Sequence, residues 1–338
     1  MSIHILAIES SCDETAVAIS NNGSILSNII YTQKIHSQYG GVVPELASRA
    51  HIQKIVPVVK DALKIAFPSE DNYLNQLSKI DAFAFTQSPG LIGSLLVGAQ
   101  FAKSLSLSLQ KPLIAINHLQ AHVLANLIDK NNYSFPFICL TVSGGHTQIV
   151  LVEAALSYQI IGETIDDAAG EAFDKIGKML GLPYPAGPIL DKLAKTGNAN
   201  FIKFPIPNAP NFNFSFSGLK TSVLYYLQKL DKSFIELHLN DICASVQQTI
   251  VQSLLQKLQK AAAFYNIKEL YIAGGVSANS ELRKQFLALG KQYNWNTQIP
   301  LFEYCTDNAA MIAQVAYIKY RYRQFSNLDV SVSAQSIF

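Results

Sequence analysis

Apolar and polar positions alternate in short blocks at the start of the chain. Ile3-His-Ile-Leu-Ala-Ile-Glu9 reads as a strand, Ser10-Ser-Cys-Asp-Glu14 as a polar turn, and Thr15-Ala-Val-Ala-Ile19 as a second strand. Asn21-Asn22-Gly23 has the chemistry of a two-residue hairpin turn, followed by a third strand over residues 24–33. The period then lengthens. Residues 44–67 carry helical apolar spacing, 80–86 read as a strand, 93–110 as a helix and 113–116 as a strand. Strands paired first as hairpins and then alternating with helices predict a mixed sheet covered by helices.

The pattern restarts near residue 137. Phe137-Ile-Cys-Leu-Thr-Val142 reads as a strand, Ser143-Gly-Gly-His-Thr147 as a turn, Gln148-Ile-Val-Leu-Val152 as a strand and 158–163 as a third. Helices follow, then the strand Glu269–Ala273 and further helices. Placing Ile5 on Ile138 puts Ser10 on Ser143 and Val17 on Val150, which reads as an internal duplication. Two facing lobes that each open with strand, turn and strand would form a cleft lined by two turns. Residues 200–214, with Pro205, Pro207 and Pro210 among asparagines, read as a surface loop.

Bulk properties fit that division. The chain has 338 residues, 49% hydrophobic and 15% charged, more than one compact core holds. A net charge of +2 does not by itself announce a nucleic-acid binder. No charged-then-apolar leader and no uninterrupted apolar run of membrane-spanning length are seen, so a cytoplasmic protein without a membrane is expected. Cys12, Cys139, Cys243 and Cys305 are scattered, without C-x-x-C, as free thiols in a reducing compartment would be.

The candidate chemistry begins at His118-Leu-Gln-Ala-His122. Histidines at i and i+4 on a helix point the same way, one turn apart, a spacing that suits two imidazoles on one metal ion. The strand before them ends in Asn117, a helix-cap residue, so the pair sits where ligands bind in open α/β sheets. Two ordinary histidines on a helix face are the plain alternative.

Three glycine or acidic turns accompany the pair. Successive amides of Ser143-Gly144-Gly145 form an anion nest, or a tight hairpin that needs glycine. The matching turn in the first half, Ser11-Cys12-Asp13-Glu14, is acidic and suits a metal or a general base, or is simply solvated. Gly274-Gly-Val-Ser-Ala-Asn279 joins a strand to a helix and admits a nucleotide at the helix N-terminus, or is a cap made by Ser277 or Asn279. Neither a G-x-G-x-x-G nor a Walker pattern is present. Asp166, Asp167, Glu171 and Asp174 crowd one helix start, where acids also favour the dipole. Lys319-Tyr-Arg-Tyr-Arg323 is basic and aromatic, fit for nucleic-acid phosphates or a solvated helix end.

Taken together, these residues resemble the TsaD family, also called Gcp or YgjD. The resemblance runs essentially end to end. It covers Ile8-Glu-Ser-Ser-Cys-Asp-Glu-Thr15, Gly40-Gly-Val-Val-Pro-Glu-Leu-Ala-Ser-Arg49, Lys103-Ser104 through Pro112 to His118-x-x-x-His122, and Val142-Ser-Gly-Gly-His-Thr147. It continues through Asp167-Ala-Ala-Gly-Glu-Ala-Phe-Asp174, Phe214-Ser-Phe-Ser-Gly-Leu-Lys220, Gly274-Gly-Val-Ser-Ala-Asn279 and Thr306-Asp307-Asn308. Ser88-Pro89-Gly90, Pro185-Ala186-Gly187-Pro188 and Ala121 depart from common family patterns only small-for-small.

The resemblance implies an α/β, duplicated two-lobed fold of the actin/Hsp70/sugar-kinase (ASKHA) type with a central cleft. The first lobe would span residues 1–132 with 305–338 returning to it, and the second 133–304. It implies a divalent metal, Fe(2+) with Zn(2+) as the alternative, on His118, His122 and Asp307. Substrate contacts would come from Thr141, Val142, Ser143, Gly144, Gly145, Asp174, Gly187, Asp191 and Asn279. The implied reaction is threonylcarbamoyl transfer from threonylcarbamoyl-AMP to N6 of adenosine 37 in tRNAs reading ANN codons, with Glu14 or Asp13 taking the proton. The implied protein partners are a smaller TsaB-like relative of the same fold and a TsaE-like P-loop ATPase. Two other classes compete. A metallopeptidase, O-sialoglycoprotein endopeptidase-like, would need a base after the first histidine, where Leu119 stands. An ATP-hydrolysing protein of the same fold would turn over ATP alone.

Overall fold

The computed structural model describes residues 2–130, 133–206 and 208–336. Asn132, the expected end of the first lobe, and Pro207 lie outside the described residues, as do the last two positions of the 305–338 segment. Along the chain run β1 (His4–Glu9), β2 (Glu14–Asn21), β3 (Ser24–Thr32), α1 (Pro44–Ala66), α2 (Tyr73–Ser78), β4 (Ala82–Ser88), α3 (Ile92–Leu109), β5 (Leu113–Asn117) and α4 (His118–Leu124). Then come β6 (Phe137–Val142), β7 (Thr147–Ala154), β8 (Ser157–Glu163), α5 (Ala169–Met179), α6 (Ala186–Ala194), α7 (Ser217–Leu227), α8 (Lys232–Leu237) and α9 (Leu239–Tyr265). β9 (Glu269–Ala273), α10 (Ser280–Tyr293), β10 (Asn296–Gln298) and α11 (Ala309–Arg321) complete the order. Two compact units result, Met1–Tyr133 with Thr306–Phe338, and Ser134–Cys305.

In the first unit the strand order is β3-β2-β1-β4-β5, with β1 antiparallel to β2 and parallel to β4. Central strands covered on both faces read as unbroken apolar runs, hence Phe83-Ala-Phe85 and Ile114-Ala-Ile116. Leu6, Ile8, Val17 and Ile19 pack with Val59 and Leu63 of α1 and with Ala99 and Ala102 of α3. α11 lies against β1, β2, β3 and β5, and residues 309–316 of it are all buried. α3 is long and apolar enough to cross a membrane by composition. Its Ala99 and Ala102 sit in the core instead, and Lys103 donates to Val330 O at 2.5 Å.

The second unit repeats the plan as β10-β9-β6-β7-β8, so β6 corresponds to β1 and β9 to β4. Its core joins Phe173 and Ile176 of α5 to Phe214, Phe216 and Val246, Ile250 and Leu254 of α9. The duplication holds, but the alignment by Val17 slips. The last pair beside the first turn is Glu9–Ala16, whereas the second turn closes at Val142–Thr147, two residues tighter. Glycine allows that tightness.

Local chemistry explains other departures from expectation. Asn22 and Gly23 take φ of 50° and 87°, the hairpin values the sequence requires. The described residues of 200–214 form no helix or strand yet are not merely surface. Phe204, Ala209 and Phe214 are buried, and Lys257 donates to Ala209 O at 2.5 Å and Asn211 O at 2.8 Å. The short α2 and β10 are too brief to show a period, and the sequence pattern misses both.

Candidate functional site

Two capped helices build the site in the first unit. Asn117 Oδ1 accepts from Leu119 N and Gln120 N, which starts α4 at His118 and sets His118 and His122 one turn apart. Asn308 Oδ1 accepts from Met311 N and its Nδ2 donates to Thr306 O at 2.7 Å, which fixes Asp307 just before α11. Asp307 Oδ1 lies 3.1 Å from His122 Nε2 and 3.4 Å from His118 Nε2. The three donor atoms lie within 4.8 Å of one another. Both histidines are buried, and the Asp307 side chain is 23% exposed.

Behind the ligands stands Glu9, fully buried at the end of β1. Its Oε2 lies 3.0 Å from His118 Nδ1 and takes Thr86 Oγ1 at 2.6 Å, while Oε1 takes Ser11 N at 2.5 Å. A carboxylate holding the Nδ1 proton leaves the Nε2 lone pair for a metal, the usual outer-shell arrangement. Two imidazole nitrogens and one carboxylate oxygen, with donor spacings near those of adjacent ligands on one ion, could hold a metal ion. His122 Nδ1 has no hydrogen-bond partner among the described residues. Replacing Glu9 by Gln is expected to weaken metal binding by about 10–100-fold, measured by chelator competition. Unchanged affinity would remove Glu9 from the site.

Charges crowd this pocket. Burial opposes the His118 cation, but Asp307 and Glu9 overcome it and raise its pKa well above the ordinary value. Burial also pushes Glu9 and Asp307 up, and the His118 charge outweighs this and holds both below the usual carboxylate range. Glu14 goes the other way, to about 10, through burial and the nearby Asp307, Asp13 and Glu9 carboxylates. The metal-free fold thus binds more protons than the unfolded chain above the ordinary histidine value of 6.5, through His118 and Glu14. Its stability should therefore fall as pH rises from 6.5 toward Glu14's value of about 10. A bound cation reverses both causes, so thermal melts should show that slope with chelator and lose it with metal. Equal slopes in the two conditions would contradict the assignment.

In the second unit, three segments meet at the C-terminal ends of β6 and β9. Thr141 pairs with Ala273, and Gly274, at φ 83°, brings its Cα so close to Val142 O that an added Cβ would lie 2.4 Å from it. Gly170 N donates to Ser143 O at 3.2 Å, which seats the start of α5 on the same turn. Thr141 and Val142 are wholly buried, so they offer a ligand no side chain. Gly144 and Gly145 are exposed, and their amides make no hydrogen bond among the described residues. Two exposed amides without an internal partner are available to an acceptor from outside the chain.

The remaining expected contacts are partly spent on structure. Asp174 Oδ1 accepts from Ala186 N at 2.8 Å and Gly187 N at 3.2 Å, so it ties Gly187 down at the head of α6. Asp191 Oδ1 accepts from Ser280 Oγ at 2.7 Å. Asn279 is the cap of α10, and its Nδ2 donates to Gln247 Oε1 at 2.9 Å. Two of their partners, Gln247 and Ser280, line a cavity of about 360 Å³ together with Lys195, Ala199 and Lys284, whereas Asp174, Gly187, Asp191 and Asn279 themselves do not. Asp166 and Asp167 serve the fold: the first takes Ser215, Phe216 and Ser217, the second Lys175 and Lys220. Lys319 is not free for phosphate, since it donates to Ala115 O at 2.9 Å, while Arg321, Tyr322 and Arg323 are exposed. Sequence reading missed Glu9, Asn308 and Gln247 as supporting groups; an acid ending an otherwise apolar strand was the available signal for Glu9.

This fold with a buried two-histidine, one-carboxylate group defines an ASKHA-type protein with a candidate metal centre. T. kodakarensis HypF shares the fold at a TM-score of 0.66 and 14% identity, over 98% of this chain and 49% of that one. Component A of the (R)-2-hydroxyglutaryl-CoA dehydratase of Acidaminococcus fermentans does so at 0.56 and 15%, over 95% and 98%. The model of the TsaD family, tRNA N6-adenosine threonylcarbamoyltransferase, matches residues 24–314. The chain is 54% identical to the tRNA N6-adenosine threonylcarbamoyltransferase of Christiangramia forsetii over 99% of this chain and 97% of that one. It is 55% identical to that of Riemerella anatipestifer over 98% and 97%. The chain belongs to the TsaD family of tRNA N6-adenosine threonylcarbamoyltransferases.

Proposed function

We propose that the chain moves the threonylcarbamoyl group of threonylcarbamoyl-AMP onto N6 of adenosine 37 in tRNAs reading ANN codons. The observation that carries this reading is the convergence of His118, His122 and Asp307 with Glu9 behind His118. A divalent ion held there, Fe(2+) or Zn(2+), supplies a Lewis acid. Gly144 and Gly145 bind the adenylate phosphate through their amides. Asp174, Gly187, Asp191 and Asn279, with Thr141, Val142 and Ser143 as backbone, shape the site for ribose and adenine. The N6 amine attacks the carbamoyl carbon, a C–N bond forms, the C–O bond to phosphate breaks, and AMP leaves with its pair of electrons. The amine proton goes to the Asp13–Glu14 pair. Burial and the neighbouring carboxylates push the Glu14 pKa up to about 10, and a divalent ion held by His118, His122 and Asp307 would lower it. A weakly nucleophilic amine gains most from placement against a good leaving group.

The acceptor is a large polyanion, while the net charge is +2 and Lys319 is engaged. The isolated chain, a cytoplasmic protein in this reading, therefore works with a smaller TsaB-like relative and a TsaE-like ATPase. Leu119, 1% exposed, puts no base beside His118, which disfavours the peptidase. The test is modified adenosine per enzyme over time with donor, tRNA and metal. Expected is little multiple turnover alone and restoration with both partners. Steady turnover of ATP without tRNA would favour the hydrolase instead.

A further inference from the structure

Arg283, in the first turns of α10, makes an unusual set of contacts. Its Nε donates to Ser277 O at 2.7 Å, and its Nη2 to Pro300 O at 3.1 Å and Cys305 Sγ at 3.0 Å. No carboxylate pairs with it among the described residues. The guanidinium thus spends its charge on three separate stretches of the second unit: the Gly274–Asn279 turn, the exit of β10, and the last residue of the unit. Cys305 is wholly buried. Only Thr306 separates it from Asp307, so the chain allows their Cα atoms at most about 7 Å of separation. On its other side Asp307 is held by Asn308, which grips Thr306 O and caps α11. The metal carboxylate is therefore suspended between two anchors, and one of them is an arginine braced on the glycine turn.

We infer that Arg283 is a positioning residue that couples occupancy of the Gly274–Asn279 turn to metal binding at Asp307. The inference rests on the proposed reading of the turn as part of the adenosine site and of the triad as a metal site. A movement of the turn on ligand binding shifts Ser277 O, the rigid fork follows, and Cys305 carries the change to Asp307. A lysine keeps the charge but loses the planar fork that serves three acceptors at once. Coupling of this kind is reciprocal: each ligand changes the affinity for the other by the same factor.

The test uses the full chain freed of metal, with Co2+ as a coloured probe of the triad and AMP as the probe of the turn. Expected for the parent chain is Co2+ binding tightened by AMP by about fivefold or more, and AMP binding tightened equally by Co2+. In Arg283→Met the factor should fall to near one, with an altered Co2+ spectrum, while Arg283→Lys keeps part of it. Thermal melts check folding, and if the Met variant does not fold, the Lys variant carries the comparison. Independent binding of Co2+ and AMP to the parent chain, or coupling that survives in both variants, would overturn the inference alone. A purely structural brace, shown by loss of fold in both variants, would overturn it too. A parent chain that binds no Co2+, or no AMP, would overturn the underlying reading and the inference with it.

Discussion

His118→Ala and His122→Ala should each lose metal binding and most of the transfer activity while the protein stays folded. Each change removes one of three protein donors, and the loss of affinity should exceed the roughly 100-fold limit for an outer-shell partner. The fold should survive because both side chains lie on α4, whose start is set by the Asn117 cap. Some stability should still be lost in His118→Ala beyond the cavity left behind, because Glu9 and Asp307 lose the cation that holds their pKa values down. Metal content by elemental analysis, alongside thermal melts, reads the two effects separately. Full metal content in both single variants would sink the assignment.

Gly145→Val should abolish productive donor binding without touching the metal. A Cβ at Gly145 meets nothing within 4 Å, so the protein itself has room for the side chain. The branched group instead fills the space over the exposed amides where a phosphate would sit. Affinity for the adenylate should drop at least about tenfold, or about 1.4 kcal/mol. Calorimetry with AMP and with the adenylate measures it. Unchanged affinity would make Ser143–Gly145 a hairpin turn and no more. The same substitution at Gly274 would be uninformative, since a Cβ there strikes Val142 O and the fold would give way first.

Much of this was legible in the chain. Strand–turn–strand openings are short-range and period-two, so both appear in the pattern, and Asn22–Gly23 has only one economical turn to make. The histidine pair was legible because helix geometry alone brings i and i+4 together. Asp307 needed the family resemblance, because nothing local ties it to His122 across 185 positions. Glu9 was hidden for the same reason: its partner His118 is 109 residues away. Asn279 shows the opposite failure. Its type and place fitted both a ligand contact and a cap, and the structure uses its oxygen as the cap. The two-residue slip between the hairpins escaped the sequence alignment, because apolar strands match equally well at several even offsets.

The order of the chain gives the site an unexpected property. His118 and Glu9 are synthesised early, but Asp307 and the helix that buries β1 come only after the whole of Ser134–Cys305. A ribosome builds from the N-terminus, and domains fold as their residues emerge. The first sheet must therefore wait, one side bare, while the second unit is made and folded. Any product cut short before residue 307 has two of the three donors and no third. An open sheet and an incomplete donor group therefore arise together: a product that stops short of α11 lacks both the helix that covers its sheet and the third candidate donor.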